Sequence, residues 1–178
     1  MKTILFGICI LMSYVGIAQN KILIVSTNKD SVGRDASGSY VKEIANPFRH
    51  FKQAGLEIDV VTPKGGKAAI YGSVTSDLQD IVNDSLYINK VMNTLTPDQV
   101  RYKDYAAVFY PGGHGQYFDV VSDERIAALT ATIYENKGVI GTAGHGGVRQ
   151  CDRQSRRNGL GALHVHGAVA RSELDSHG

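Results

Sequence analysis

The chain has 178 residues, 43% of them apolar and 20% charged, with a formal net charge of +2. That length and apolar share suit one domain with a single core, and exclude a disordered or collagen-like chain. A balance so near neutral gives no electrostatic case for nucleic acid or an anionic membrane as a partner.

Met1-Lys2-Thr3 precedes an apolar run over residues 4–17, closed by Gly16-Ile17-Ala18 before Gln19-Asn20. A basic start, an apolar run too short to span a bilayer and a small-residue cleavage motif predict an export signal over residues 1–18, cut near Ala18. The mature protein is then expected in the periplasm or outside the cell, with no stable membrane anchor. Cleavage would remove Lys2 and Cys9, taking the charge from +2 to +1 and leaving Cys151 as the remaining thiol. One thiol makes no internal disulfide, so stability rests on packing.

Residues 21–27 (KILIVST) form a short, β-branched apolar run that reads as a buried central strand. A helical pattern begins at Ser39, carries Val41, Ile44, Phe48 and Phe51 on one face and ends at Gly55; Pro47 inside it predicts two pieces or a kink. Residues 57–61 are the next strand, and Pro63-Lys64-Gly65-Gly66 is a turn. The polar stretch over residues 73–97 predicts one short helix near residues 84–94. Residues 106–110 are another buried strand, running into the Gly-rich loop Pro111-Gly112-Gly113-His114-Gly115. Asp123-Glu124 opens a helix with Ile126, Leu129 and Ile133 on its apolar face, stopping at Lys137-Gly138. Strands alternating with helices predict an α/β domain, a mostly parallel sheet with helices on both faces, in which ligands bind beyond the carboxyl ends of strands. The Pro111 loop stands at one such end.

A second such end follows residues 138–142, a strand feeding Thr142-Ala143-Gly144-His145-Gly146-Gly147. This reads as a strand-to-turn nucleophile elbow, which lifts one side chain to the tip of a sharp turn where backbone N–H groups stabilise an oxyanion or thiolate. Gly144 stands at the tip. Glycine adopts the strained backbone but has no atom that attacks a carbonyl.

Past the elbow the composition shifts. From Gly147 to Gly178 there are five Arg and no Lys, whereas the preceding residues carry ten Lys and four Arg. Residues 148–178 therefore read as an atypical Arg-rich tail, either a frameshifted end or a natural linker. His164 and His166 fall two apart, as a metal site on a strand requires, but no third ligand accompanies them.

Several motifs in one order carry a family resemblance. Gly38-Ser39-Tyr40 with Glu43 and Pro47, Phe51-Lys52-Gln53-Ala54-Gly55, Thr62-Pro63-Lys64-Gly65-Gly66, residues 104–115 (DYAAVFYPGGHG) and Ala143-Gly144-His145-Gly146 resemble the ThiJ/PfpI superfamily. The branch it is most similar to is that of glyoxalase III-like and stress-chaperone proteins, within the class I glutamine amidotransferase-like, flavodoxin-like fold. The resemblance covers residues 19–147 as the domain and implies a fold incomplete at its C-terminus, because family domains continue with a helix and further strands.

The resemblance also implies site roles. The family's nucleophilic Cys falls on Gly144, the acidic partner from the first helix on Glu43 and the neighbouring His on His145. Gly112, Gly113, His114 and Gly146 fall where the family builds an oxyanion and substrate pocket. The implied chemistry needs no metal or organic cofactor and acts on a small carbonyl or acyl compound, as in the conversion of methylglyoxal to D-lactate. With Gly144 in place of the Cys, covalent catalysis is expected to be impaired. Amidase, peptidase or amidotransferase-like chemistry and a non-catalytic holdase remain alternatives, and a homodimer is possible. Taken alone, Glu43 also reads as a solvated helical carboxylate, and His114 and His145 as turn residues.

Overall fold

The first strand, β1 (Lys21–Val25), sends alternate side chains to opposite faces of a sheet: Ile24 joins one apolar cluster, Leu23 and Val25 the other. The structure, a computed structural model, describes residues 20–144; the expected export signal and the atypical tail lie outside them. After β1 come the two-residue strands β2 (Ser31–Val32), β3 (Asp35–Ala36) and β4 (Ser39–Tyr40), then α1 (Val41–Gln53) and β5 (Glu57–Val61). β6 (Ile70–Tyr71), α2 (Gln79–Val82) and α3 (Ser85–Met92) lead to β7 (Tyr105–Tyr110), α4 (Glu124–Glu135) and β8 (Val139–Thr142).

β5, β1, β7 and β8 form a parallel sheet in that order, with Ile22 opposite Ile58 on one side and Ala107 on the other. Val41, Ile44, Ala45 and Phe48 of α1, Ile81 of α2 and Tyr87 and Val91 of α3 pack with Ile24, Ile58 and Val60. Ile126, Leu129 and Ile133 of α4 pack with Leu23, Val25, Val108 and Tyr110 on the opposite face. The expected two-faced α/β layer is therefore present. Successive strands are added to one side of β1 with β5 and then to the other with β7 and β8, and the crossover leaving β1 goes to one face and that leaving β7 to the other. The crevice between their carboxyl ends is the place where such sheets bind ligands.

Local signals account for most boundaries. Asp84 caps α3, accepting from the backbone N–H of Leu86 at 3.0 Å and Tyr87 at 3.1 Å, and Asp123 caps α4 through Arg125 N at 2.9 Å and Ile126 N at 3.3 Å. Three local expectations need correction. The stretch over residues 73–97 holds α2 as well as α3, where one short helix was expected. α1 begins at Val41 because Ser39 N instead donates to Ala69 O at 2.8 Å, drawing Ser39 and Tyr40 into a parallel pair with β6. α1 also runs unbroken through Pro47. Pro47 withholds the N–H that would meet the Glu43 carbonyl, but the buried stripe of Ile44, Ala45 and Phe48 holds both halves against the sheet, with Phe48 edge-on to Tyr87 at 5.2 Å.

At the amino ends of the strands, Asp59 accepts from Lys90 Nζ at 2.6 Å and Tyr105 OH at 2.8 Å, and Lys21 Nζ lies 3.3 Å away. Burial alone would raise the Asp59 pKa; the hydrogen bonds from Lys90 and Tyr105 and the two lysine charges outweigh it and hold the carboxyl below its ordinary value. A depressed folded pKa contributes stability that is present above the unfolded value of about 3.9 and is lost as pH falls through the folded one. Urea unfolding should thus show stability level from pH 7 to 5 and falling below about pH 4. Asp59→Asn should cost about 1–3 kcal/mol at pH 7 and flatten that acid limb; an acid limb identical in variant and parent would remove Asp59 as its cause.

Candidate active site

Segments following β1, β7 and β8 meet beyond the carboxyl ends of the sheet. Tyr40 N donates to Gly112 O at 2.9 Å, and Ala143 N donates to Tyr110 O at 2.9 Å, so the start of α1, the Gly-rich loop and the turn after β8 are joined through backbone. Asp119 ties the loop after β1 to the same region: Oδ1 accepts from Thr27 Oγ1 at 2.6 Å and Oδ2 from Asn28 N at 2.8 Å. Asn28 in turn donates to Gly65 O at 3.0 Å and accepts from Lys64 N at 2.9 Å, fixing the turn after β5.

The Gly-rich loop is tight for a visible reason. Gly113 has φ +133°, and a Cβ there would collide with the Gly38 carbonyl and come within 2.8 Å of Ser39 Cα and Tyr40 N. Only glycine combines that backbone angle with so close an approach. A Cβ on Gly112 would strike Glu43 Oε2, which places the Glu43 carboxylate directly against the loop.

Glu43 lies in the first turn of α1 and is half-buried. Gly144, exposed and with φ +63°, has the left-handed backbone of an elbow tip, and a Cβ built on it would sit 2.7 Å from each Glu43 oxygen. Of the residues singled out in the sequence, Glu43, Gly112 and Gly144 are thus brought together, and Gly113 adjoins them. His114 is exposed at the start of a short 3-10 turn, His114–Tyr117, its ring 6.4 Å from that of Tyr117. His145 and Gly146 lie outside the described residues. Gln116, Ser26 and Asp119 carried no signal in the sequence, and Ser39 stood out there as a helix start and motif residue rather than for its side-chain contacts. They interact across separations of 13 to 92 positions, apart from the contacts of Gln116 with Pro111 and of Asp119 with Val120 N, and so leave no local pattern.

Chemically, a carboxylate able to take or give a proton faces a turn tip that carries no sulfur, hydroxyl or amine. Such a set can hold and polarise a carbonyl compound but cannot form a covalent adduct at the tip.

A sequence profile described as the DJ-1/PfpI family matches residues 36–150. The chain belongs to the DJ-1/PfpI family. It is 29% identical over 139 residues to the Saccharomyces cerevisiae protein named glutathione-independent glyoxalase HSP31, covering 72% of this chain and 59% of that one. Among solved structures, Rapid Encystment Protein 24 kDa of Francisella tularensis superposes with a TM-score of 0.69 at 26% identity, covering 79% of this chain and 64% of that one. Glyoxalase III of Candida albicans gives 0.59 at 25% identity, covering 72% and 58%. The chain thus spans about three-fifths of the length of these family members. The parallel sheet and the placement of helices on its two faces are those of the DJ-1/PfpI fold.

Proposed function

We propose that this chain is a small-carbonyl-binding domain related to glutathione-independent, glyoxalase III-type enzymes, with covalent turnover crippled at Gly144. The observation that carries this reading is the meeting of Glu43 and Gly144: both carboxylate oxygens lie 2.7 Å from the point where a nucleophile's Cβ would stand. In the reading, Glu43 is the proton carrier and Gly112, Gly113 and His114 belong to the carbonyl pocket; the roles that the family resemblance gives to His145 and Gly146 fall outside the described residues. No metal or organic cofactor is required, and methylglyoxal is the reference substrate. The test is to titrate the protein with methylglyoxal and follow both the Gly112 and Gly113 amide resonances and D-lactate. Shifts without significant lactate support the reading, and an absence of shifts defeats it.

A non-catalytic holdase is the second reading, favoured by apolar surface at Phe118 and Val139, which are 54% and 65% exposed. Val139 also begins the outermost strand of the described sheet, the edge through which a homodimer would pair. Suppression of aggregation of an unfolded client, lost on Val139→Asp, separates this reading from the first.

We propose further that the protein is exported to the periplasm or secreted. The support is the apolar run of residues 4–17 and its Gly16-Ile17-Ala18 end. Intact-mass measurement of the mature protein should give a start near Gln19; a soluble form retaining Met1 would defeat the proposal.

A further inference from the structure

Gln116 is only 1% exposed, in the turn that follows the Gly-rich loop. Its Nε2 donates to the Pro111 carbonyl and lies 3.5 Å from Ser39 Oγ, which is 2.8 Å from Ser26 Oγ. Its Oε1 is buried with no hydrogen-bond partner among the described residues. A carbonyl oxygen accepts only from the amide nitrogen, so the contact with Pro111 fixes which way the side-chain amide is turned. An orphaned buried acceptor destabilises the fold, and an apolar side chain of the same size would avoid it. The contact with Pro111 is what this glutamine gains in exchange.

That contact has a geometric effect on the loop. The C=O and N–H of a planar trans peptide point in opposite directions, and there are no cis peptides among the described residues. Holding the Pro111 carbonyl toward Gln116 turns the Gly112 N–H away from the buried Ser26–Ser39–Gln116 group. Tyr40 N, holding the Gly112 carbonyl, does the same for the Gly113 N–H. Neither glycine N–H donates to a backbone carbonyl among the described residues.

We infer that Gln116 is a positioning residue that aims the Gly112 N–H at the carbonyl oxygen of a small aldehyde or ketone bound beside Glu43 and Gly144. This rests on the reading of the site as a carbonyl pocket. Pre-aimed backbone donors act most strongly where charge gathers on such an oxygen, and they need no reorganisation when it does.

The test uses the full chain labelled with 15N-glycine and titrated with hydroxyacetone, a small ketone. In the parent, the Gly112 and Gly113 amides should shift together. Gln116→Met, which keeps the volume and removes the donor, should reduce the Gly112 response at least threefold while Gly113, held by Tyr40, keeps its own. Gln116→Glu should lose the Gly112 response at neutral pH and regain it as acid protonates the new carboxyl into a donor, a return that a merely structural role would not produce. An undiminished Gly112 response in Gln116→Met overturns the inference while leaving the pocket intact; silence of both glycines in the parent defeats the pocket reading itself. If neither variant folds, hydrogen exchange in the parent decides: the Gln116 amide hydrogens should be slow and the Gly112 N–H fast, and a protected Gly112 N–H overturns the assignment.

Discussion

Methylglyoxal turnover by the purified chain should lie on the order of 10⁴- to 10⁶-fold below that of a relative bearing a thiol at the tip of this turn, because removing a nucleophile typically costs that much. Gly144→Cys should raise turnover at least tenfold over the parent, and Glu43→Gln on that background should erase the gain. The substitution is sterically feasible. Its Cβ would press on both Glu43 oxygens at 2.7 Å, but these end a flexible side chain that can swing aside. A left-handed backbone with φ +63° costs a side chain only about 1–2 kcal/mol. D-lactate formation is the measurement. Turnover by the unmodified chain at the level of thiol-bearing relatives, retained after Cys151→Ser, would refute Gly144 as the site of the lost nucleophile.

Gly113→Ala should destabilise the fold by about 3–5 kcal/mol, whereas Gly144→Ala should cost about 1–2 kcal/mol. Gly144, at φ +63°, has a left-handed backbone that a side chain tolerates at modest cost, whereas Gly113, at +133°, does not, so backbone strain and the contacts of the new methyl group both weigh more heavily at Gly113. At Gly113 the methyl meets the Gly38 carbonyl, Ser39 Cα and Tyr40 N, all backbone of β4 or of the residue just before it. None can yield without shifting β4 and breaking the hydrogen bond from Tyr40 to Gly112. At Gly144 it meets only a carboxylate. Thermal unfolding should put the two variants roughly 5–15 °C apart; equal melting temperatures would show that the Gly-rich loop is free to move off α1.

How far the sequence carried the reading depends on the range of the interaction responsible. β1, β5, β7 and β8 were evident because each is a short β-branched or aromatic run, and α4 because Asp123 and the spacing of Ile126, Leu129 and Ile133 lie within one element. The β4–β6 pair was not, since two residues carry no period and Ser39 finds Ala69 thirty positions away. Pro47 misled for the opposite reason: the local rule is sound, but the packing that overrides it comes from strands and helices elsewhere in the chain. At the site, Glu43, Gly112 and Gly144 were visible through their motifs. Gln116 was not, because a glutamine in a polar loop looks the same whether it is solvated or 1% exposed.

The strand order β5-β1-β7-β8 also bears on how the chain reaches this state. β1 pairs with β5 through Lys21 and Glu57, and with β7 through Lys21 and Tyr105, so no pairing in the main sheet is between near neighbours in sequence. Loop-closure entropy must be met before any of these contacts contributes, and parallel sheets of this kind fold slowly for that reason. Until residues 105–110 emerge from the ribosome, one edge of β1 has no partner and Glu43 faces no glycine loop. The slow pairing keeps the chain open for longer, and the site is assembled only once β8 and the turn carrying Gly144 have followed β7.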